Sequence, residues 1–189
     1  MESGWPPRKR FTRAEVERMM EAGLFADQRY ELIDGDLISK MGQAPPHAWA
    51  IHMVMVCLAK TFGIERIRVQ QPLEVATEDH DLTWPEPDVA VLAEAKAGYR
   101  TRHPRGDELL LVVEVADITA KFDRTWKRDL YARAGVPEYW LLDIGIRQLI
   151  VHRKPAKGTY QQISILPEND VVAVASSPHE PIAIAGILP

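Results

Sequence analysis

Residues 109–115 are apolar with one exception, and that exception constrains the fold more than any other feature of the chain. The run Leu109-Leu110-Leu111-Val112-Val113-Glu114-Val115 reads as a strand in a packed sheet. Charged side chains are almost never fully buried unless they are paired or bind a metal, so Glu114 among valines needs a partner. A second run, Asp88-Val89-Ala90-Val91-Leu92, follows Pro87 and sets another acid at a strand edge. If the two strands pair, their carboxylates converge as hard oxygen ligands of the kind Mg²⁺ accepts while keeping several waters. The residues alone leave other readings open: Glu114 on a solvated strand face or paired with an arginine, and Asp88 capping a turn after proline.

The elements around these runs follow from local signals. Thr12-Arg13-Ala14-Glu15 is a capping box that opens a helix to about Ala22, with Gly23 as its stop. Residues 30–38 form two short apolar-bearing runs around Asp34-Gly35, a strong hairpin signal, and Pro45-Pro46 ends that unit. From His47 to Phe62 the chain is almost uniformly apolar, with Ile51, Met55, Leu58 and Phe62 at helical spacing, which predicts a helix buried on much of its circumference. Strands are expected at 67–75, 88–92, 109–115, 139–143 and 149–153, with a helix over 123–134 ended by Gly135 and Pro137. From Thr159 onward weak strand runs alternate with proline and glycine. This order predicts a mixed β-sheet flanked by α-helices, and the length of 189 residues suits a single α/β domain over 1–189.

Several function classes are disfavoured by what the chain lacks. There is no Gly-x-Ser-x-Gly elbow, no phosphate-cradling glycine loop and no Cys-x-x-Cys pair, which argues against serine hydrolase, nucleotidase and redox chemistry. The one cysteine, Cys57, lies in an apolar run and is expected to be a buried free thiol in a reducing cytoplasm. No signal peptide or membrane span is legible. The formal net charge of −4 counts against an unspecific DNA binder, although basic segments occur at 8–10, 100–105 and 121–133. The six histidines show no zinc-like spacing; His52 is expected in the core and His47 at a helix start. Trp49 and Trp84 are expected to pack rather than to stack on bases.

On the helix over 123–134, Asp123, Lys127 and Tyr131 fall four residues apart along one face. Lys127 could be a surface partner of Asp123 and nothing more. The segments Tyr30-Glu31-Leu32-Ile33-Asp34-Gly35, Pro87-Asp88-Val89-Ala90-Val91, Val112-Val113-Glu114-Val115 and the stretch from Asp123 through Lys127 and Gly135-Val136-Pro137-Glu138-Tyr139-Trp140 to Asp143 point further. Together they resemble the Uma-two family, a bacterial family described as restriction endonucleases within the PD-(D/E)XK superfamily. The resemblance spans residues 30–153.

That resemblance implies a restriction-endonuclease-like core with Asp88 and Glu114 as metal-binding acids and Glu31 as an accessory acid. Glu31 could equally be a solvent-facing hairpin residue. The superfamily pattern places a lysine two residues after the second acid, where this chain has Ala116; the family supplies it from the next helix, at the position of Lys127. The implied function is an endonuclease dependent on Mg²⁺, or on Mn²⁺, that cuts nucleic acid, DNA in the first place, through an activated water. A homodimer would suit a double-strand cutter by analogy of fold. The alternatives are a catalytically inactive nuclease-fold module that binds nucleic acid or protein, and a metal-dependent hydrolase of another phosphoester.

Overall fold

The structure, a computed structural model, describes residues 8–26, 28–40, 44–116 and 123–189, with Asp123 and Arg124 described by their backbone only. Helix α1 (Arg13–Glu21) starts at Thr12, whose hydroxyl accepts from the Glu15 N–H while the Glu15 carboxylate accepts from the Thr12 N–H. Strands β1 (Tyr30–Ile33) and β2 (Asp36–Ser39) form the expected hairpin. Its turn residues Asp34 and Gly35 both have positive φ, 48° and 83°, as a two-residue turn matched to strand twist requires.

Helix α2 (Pro45–Phe62) has its two prolines inside its first turn, so Pro45-Pro46 opens this helix as well as closing the hairpin unit. Its burial is narrower than the apolar sequence suggests. Ala50, Ile51, Val54 and Leu58 form a buried stripe on one side, whereas Trp49 is 53% exposed, His52 is exposed and Cys57 is only half-buried. Helical spacing lets only one stripe of α2 face the sheet, and the other apolar residues project past it. Burying a valine, leucine or isoleucine side chain contributes about 1.5–3 kcal/mol, so this stripe suffices to hold the helix.

The main sheet contains β3 (Ile67–Val69), β4 (Val89–Leu92), β5 (Leu109–Ala116), β6 (Glu138–Asp143), β7 (Gln148–Ala156) and β8 (Thr159–Pro167), adjacent in that order. All neighbours are antiparallel except β5 and β6. Two departures from expectation have local causes. The strand expected at 67–75 stops at Val69, where Gln70 turns to φ 51° and Pro72 follows. The weak run after Thr159 is a nine-residue strand on the outer edge of the sheet, so its outward residues, Ile163 and Ile165 among them, stay exposed.

A parallel pair needs a crossover, and here it carries a π-helical turn (Asp123–Lys127) running into helix α3 (Arg128–Arg133). The single α-helix expected over 123–134 is therefore split. Gly135, at φ 81°, then turns the chain into β6. Strands β9 (Val171–Val172) and β10 (Ile182–Ala183) pair with each other.

Alternation along the strands divides the core in two. One face of the sheet carries Val89, Val91, Leu111, Val113, Trp140 and Leu142, and packs against α2 and C-terminal residues such as Val172, Ile184 and Leu188. The other carries Ala90, Leu92, Val112, Ala116, Tyr139 and Leu141, and packs against α3. His152 projects on the α3 side, stacked on Tyr139 with ring centroids 5.2 Å apart and only 3% exposed. Burial, partly opposed by a backbone hydrogen bond at Tyr139, pushes its pKa down to about 4.

Because the folded state refuses a proton that the unfolded chain accepts near pH 6.5, His152 makes stability fall as pH drops from 6.5 toward 4. Urea unfolding of a His152→Phe variant should show about 2 kcal/mol less loss between pH 6.5 and 5 than the parent chain. Parallel pH profiles would show that the ring is solvated when folded.

Candidate active site

Register brings the two strand acids together. Val89 pairs with Val113, so one step further Asp88 stands beside Glu114, and both share the α3 face with Ala90 and Val112. The hairpin supplies a third acid, because the segment preceding β4 runs along β1: Trp84 N–H donates to the Leu32 carbonyl at 2.7 Å, and Glu86 N–H to Glu31 Oε2 at 3.3 Å. Glu31 is thus a buried residue and not a solvent-facing one. The exposures of Glu31, Asp88, Glu114 and Lys127 are 4, 4, 2 and 3%.

The Lys127 ammonium lies 3.0 Å from Glu31 Oε1 and 3.0 Å from Glu114 Oε1. One turn on, the Tyr131 hydroxyl donates to the same Glu114 oxygen at 2.6 Å. The four-residue spacing seen in sequence therefore aims Lys127 and Tyr131 inward, onto Glu114, and the reading of Lys127 as a surface group is wrong. The pairing of Lys127 with Asp123 lies outside the described side chains. Glu114 is held by a lysine and a tyrosine, whereas sequence suggested an arginine. Ala116, where the superfamily pattern has its lysine, is fully buried on the same face, and the helix brings an ammonium to the same carboxylate from above.

Asp88 is held by different groups. Its Oδ2 accepts from the Val115 N–H at 2.9 Å and lies 3.4 Å from His47 Nε2, and Lys40 Nζ stands 3.9 Å from Oδ1. Burial alone would raise its pKa, but the His47 hydrogen bond, the Lys40 charge, the Val115 N–H and the Lys127 charge outweigh it and hold Asp88 below the ordinary aspartate value. Asp88 is therefore an anion at neutral pH. Burial and then the charges of Glu114 and Glu31 push Tyr131 well above the ordinary tyrosine value, so it remains an O–H donor.

Sequence reasoning had no role for three of these groups. Tyr131 was visible only as a residue on the Lys127 face. His47 and Lys40 reach Asp88 across 41 and 48 residues of chain, a closeness that no local pattern announces. Trp84 packs as expected, with the Arg13 guanidinium 4.5 Å from its ring centroid.

Comparison with known proteins places the chain. A family model described as "Uma2: Putative restriction endonuclease" matches residues 14–180. The chain belongs to the Uma2 family. Among solved structures, it is similar to one described as a "putative nuclease belonging to DUF820" from Anabaena variabilis ATCC 29413, with 16% identity, a TM-score of 0.65 and coverage of 84% of this chain and 88% of that one. At that identity the likeness concerns the fold, a mixed sheet flanked by helices with a restriction-endonuclease-like core. No curated protein matches the chain. This Uma2 chain is thus a nuclease-fold protein related to PD-(D/E)XK enzymes. No helix among its described residues is long and apolar enough to cross a membrane.

Among the described residues, no group of three or more histidine, cysteine, aspartate or glutamate side chains is arranged to hold a metal ion. Two of the three acids are instead bridged by an ammonium. The donor set nevertheless suits a hard divalent cation, since Mg²⁺ is commonly held by one or two carboxylates and completes its shell with water and substrate phosphate. Formally three acids face two lysines, Lys127 and Lys40, and Lys127 already marks a place where these acids accept positive charge.

Removing that charge should be costly. Breaking a buried ion pair from one side leaves uncompensated charge and typically costs about 3–5 kcal/mol. Lys127→Met should lower stability by that order at pH 7 in urea unfolding, and adding Glu114→Gln should restore part of it. A change of a few tenths of a kcal/mol in the single variant would show that the ammonium does not hold the acids together.

Proposed function

We propose that this Uma2 protein is a metal-dependent endonuclease that hydrolyses phosphodiester bonds of nucleic acid, DNA in the first place, in the cytoplasm. Residues 1–189 act as one domain, and a homodimer suits cleavage of both strands. The observation that carries this reading is the buried Lys127 ammonium held between Glu31 and Glu114 beside an ionised Asp88. A purely structural core has little reason to bury three acids and a lysine, because apolar residues of similar volume often serve stability as well or better.

In this reading Asp88 and Glu114 are the metal ligands and Glu31 the accessory acid. A bound Mg²⁺, or Mn²⁺, would polarise the phosphoryl oxygen and lower the pKa of a coordinated water. The protein's own groups do the rest. The Val115 N–H and His47 fix the Asp88 carboxylate, and Tyr131 holds Glu114 by donating to Oε1. Lys127, as an ammonium, orients the attacking water and offsets charge on the scissile phosphate. Low solvent access keeps these electrostatic terms strong.

The test is cleavage of supercoiled plasmid and of single-stranded substrates with Mg²⁺ or Mn²⁺. Asp88→Asn and Glu114→Gln should abolish cutting and strongly weaken divalent binding in calorimetry, since each removes an anionic ligand. Lys127→Arg keeps the charge but not the shape, and should slow cleavage by about 10²–10⁴ while the fold survives. Cutting that persists in the Asp88→Asn/Glu114→Gln protein would place the activity elsewhere. A wild-type chain that binds DNA and never cuts it would make this an inactive nuclease-fold module.

A further inference from the structure

Along the β3 edge of the sheet lies a cavity of about 530 Å³. Its lining includes Arg68, Lys96, Tyr99, Arg100, Gln71 and Glu65. Arg68 pairs with Ala90 across β3 and β4 and so projects from the same face as Asp88 and Glu114. Leu92, which also lines the cavity, is four residue steps from Asp88, about 13 Å along the strand.

Lys96 is paired with Glu94 and Glu108, at 3.7 and 3.9 Å, but two other cations of the lining have no acidic partner among the described residues. Other arginines are committed to acids: Arg13 to Glu74, Arg102 to Glu108, Arg133 to Asp79, Arg153 to Glu138. Arg68, half-buried, has no carboxylate within ion-pair distance among the described residues; its contact is His103 Nδ1 at 3.4 Å. Burial, and then the Arg68 charge itself, holds His103 below its ordinary pKa, so that ring is neutral at pH 7. Arg100 is exposed and likewise forms no ion pair among the described residues. The carboxylate of Glu65 is folded back against Gly63.

The Tyr99 hydroxyl is buried with no hydrogen-bond partner. Arg102 stands over its ring, 5.0 Å from the centroid, without a geometrically sound hydrogen bond to the hydroxyl. A guanidinium can only donate, so the Tyr99 proton has no acceptor in any case. A half-buried cation and an unsatisfied O–H, on residues that line one cavity, call for an anion rich in acceptors. Phosphate is such a group, and arginine meets it with paired donors.

We propose that this cavity is a phosphate subsite that holds the backbone of the strand bound at the Asp88–Glu114 site, an inference that rests on the nuclease reading above. Arg68 and Arg100 each take one of two neighbouring phosphates of that strand, and Tyr99 donates its proton to one of them. The subsite gives an acidic protein a local cationic hold on a polyanion and fixes the direction in which the strand crosses the acids.

The experiment uses the full chain in EDTA, which blocks metal-dependent cutting, and follows fluorescence anisotropy of a 20-base-pair duplex and a 20-nucleotide single strand from 50 to 200 mM NaCl. For the duplex, Arg68→Gln/Arg100→Gln should weaken binding at least tenfold at 50 mM salt and reduce the slope of log affinity against log salt by about 1.8, one lost phosphate contact per arginine. Lysine at both positions should retain the slope. Should Arg68→Gln unfold in a thermal melt, Arg100→Gln alone, at an exposed site, should lower the slope by about 0.9. An unchanged slope, or a wild-type chain that binds neither oligonucleotide, overturns the subsite. So does competition by inorganic phosphate as effective as that by the strand at equal phosphate concentration, which marks a small-anion pocket. Plasmid cleavage separates the two readings: cutting with an unchanged slope removes only the subsite, and slope loss in a chain that never cuts removes only the enzyme.

Discussion

The Lys127 ammonium, buried between Glu31 and Glu114, ties together three elements that are far apart in sequence. Glu31 comes from the hairpin, Glu114 from the middle of the central strand and Lys127 from the crossover helix. Each is almost fully removed from water, where an isolated charge would cost several kcal/mol. None of the three is tolerable there without the others. The crossover must therefore dock with Lys127 and Tyr131 turned toward the sheet, and the hairpin must close over Glu31, before either acid can be buried inside the protein.

The two faces of the sheet divide the work. The face covered by α2 is apolar throughout its core, from Val89 and Val113 to Trp140, and supplies stability through packing. On the α3 face the same strands carry Asp88, Glu114, His152 and Arg68, and a row of tyrosines whose hydroxyls need partners. A strand alternates its side chains between faces, so β5 can be fully packed on one side through Val113 and Val115 while offering Glu114 on the other. That division lets one sheet be both a rigid frame and a charged site.

Electrostatics are local rather than global in this chain. Its net charge of −4 would repel a polyanion, and the basic segments that looked promising in sequence are largely spent on ion pairs. Arg102 and Arg105 face Glu108 and Asp107, and Arg128 and Arg133 face Asp129 and Asp79. Counting basic residues thus overstated the attraction of those segments and concealed Arg68, which stands outside any basic run and lacks an acidic partner among the described residues. Which cations remain available to a ligand depends on which acids fold beside them.

The sequence by itself determined the elements whose cause is local: the Thr12 capping box, the Asp34-Gly35 turn, the existence of α2, the apolar strands and the Gly135 stop. It also marked Asp88, Glu114, Lys127 and Glu31 as candidates, through charges set in apolar runs and through family resemblance. What it could not determine was burial and pairing across long stretches of chain. Nothing local says that His52 and Trp49 face outward while Glu31 faces inward, that Lys127 lies under the helix and not on it, or that His47 and Lys40 converge on Asp88. Those outcomes belong to tertiary structure, because whether a charge is stable depends on the groups that the fold brings within a few ångströms of it and on how much water the fold removes.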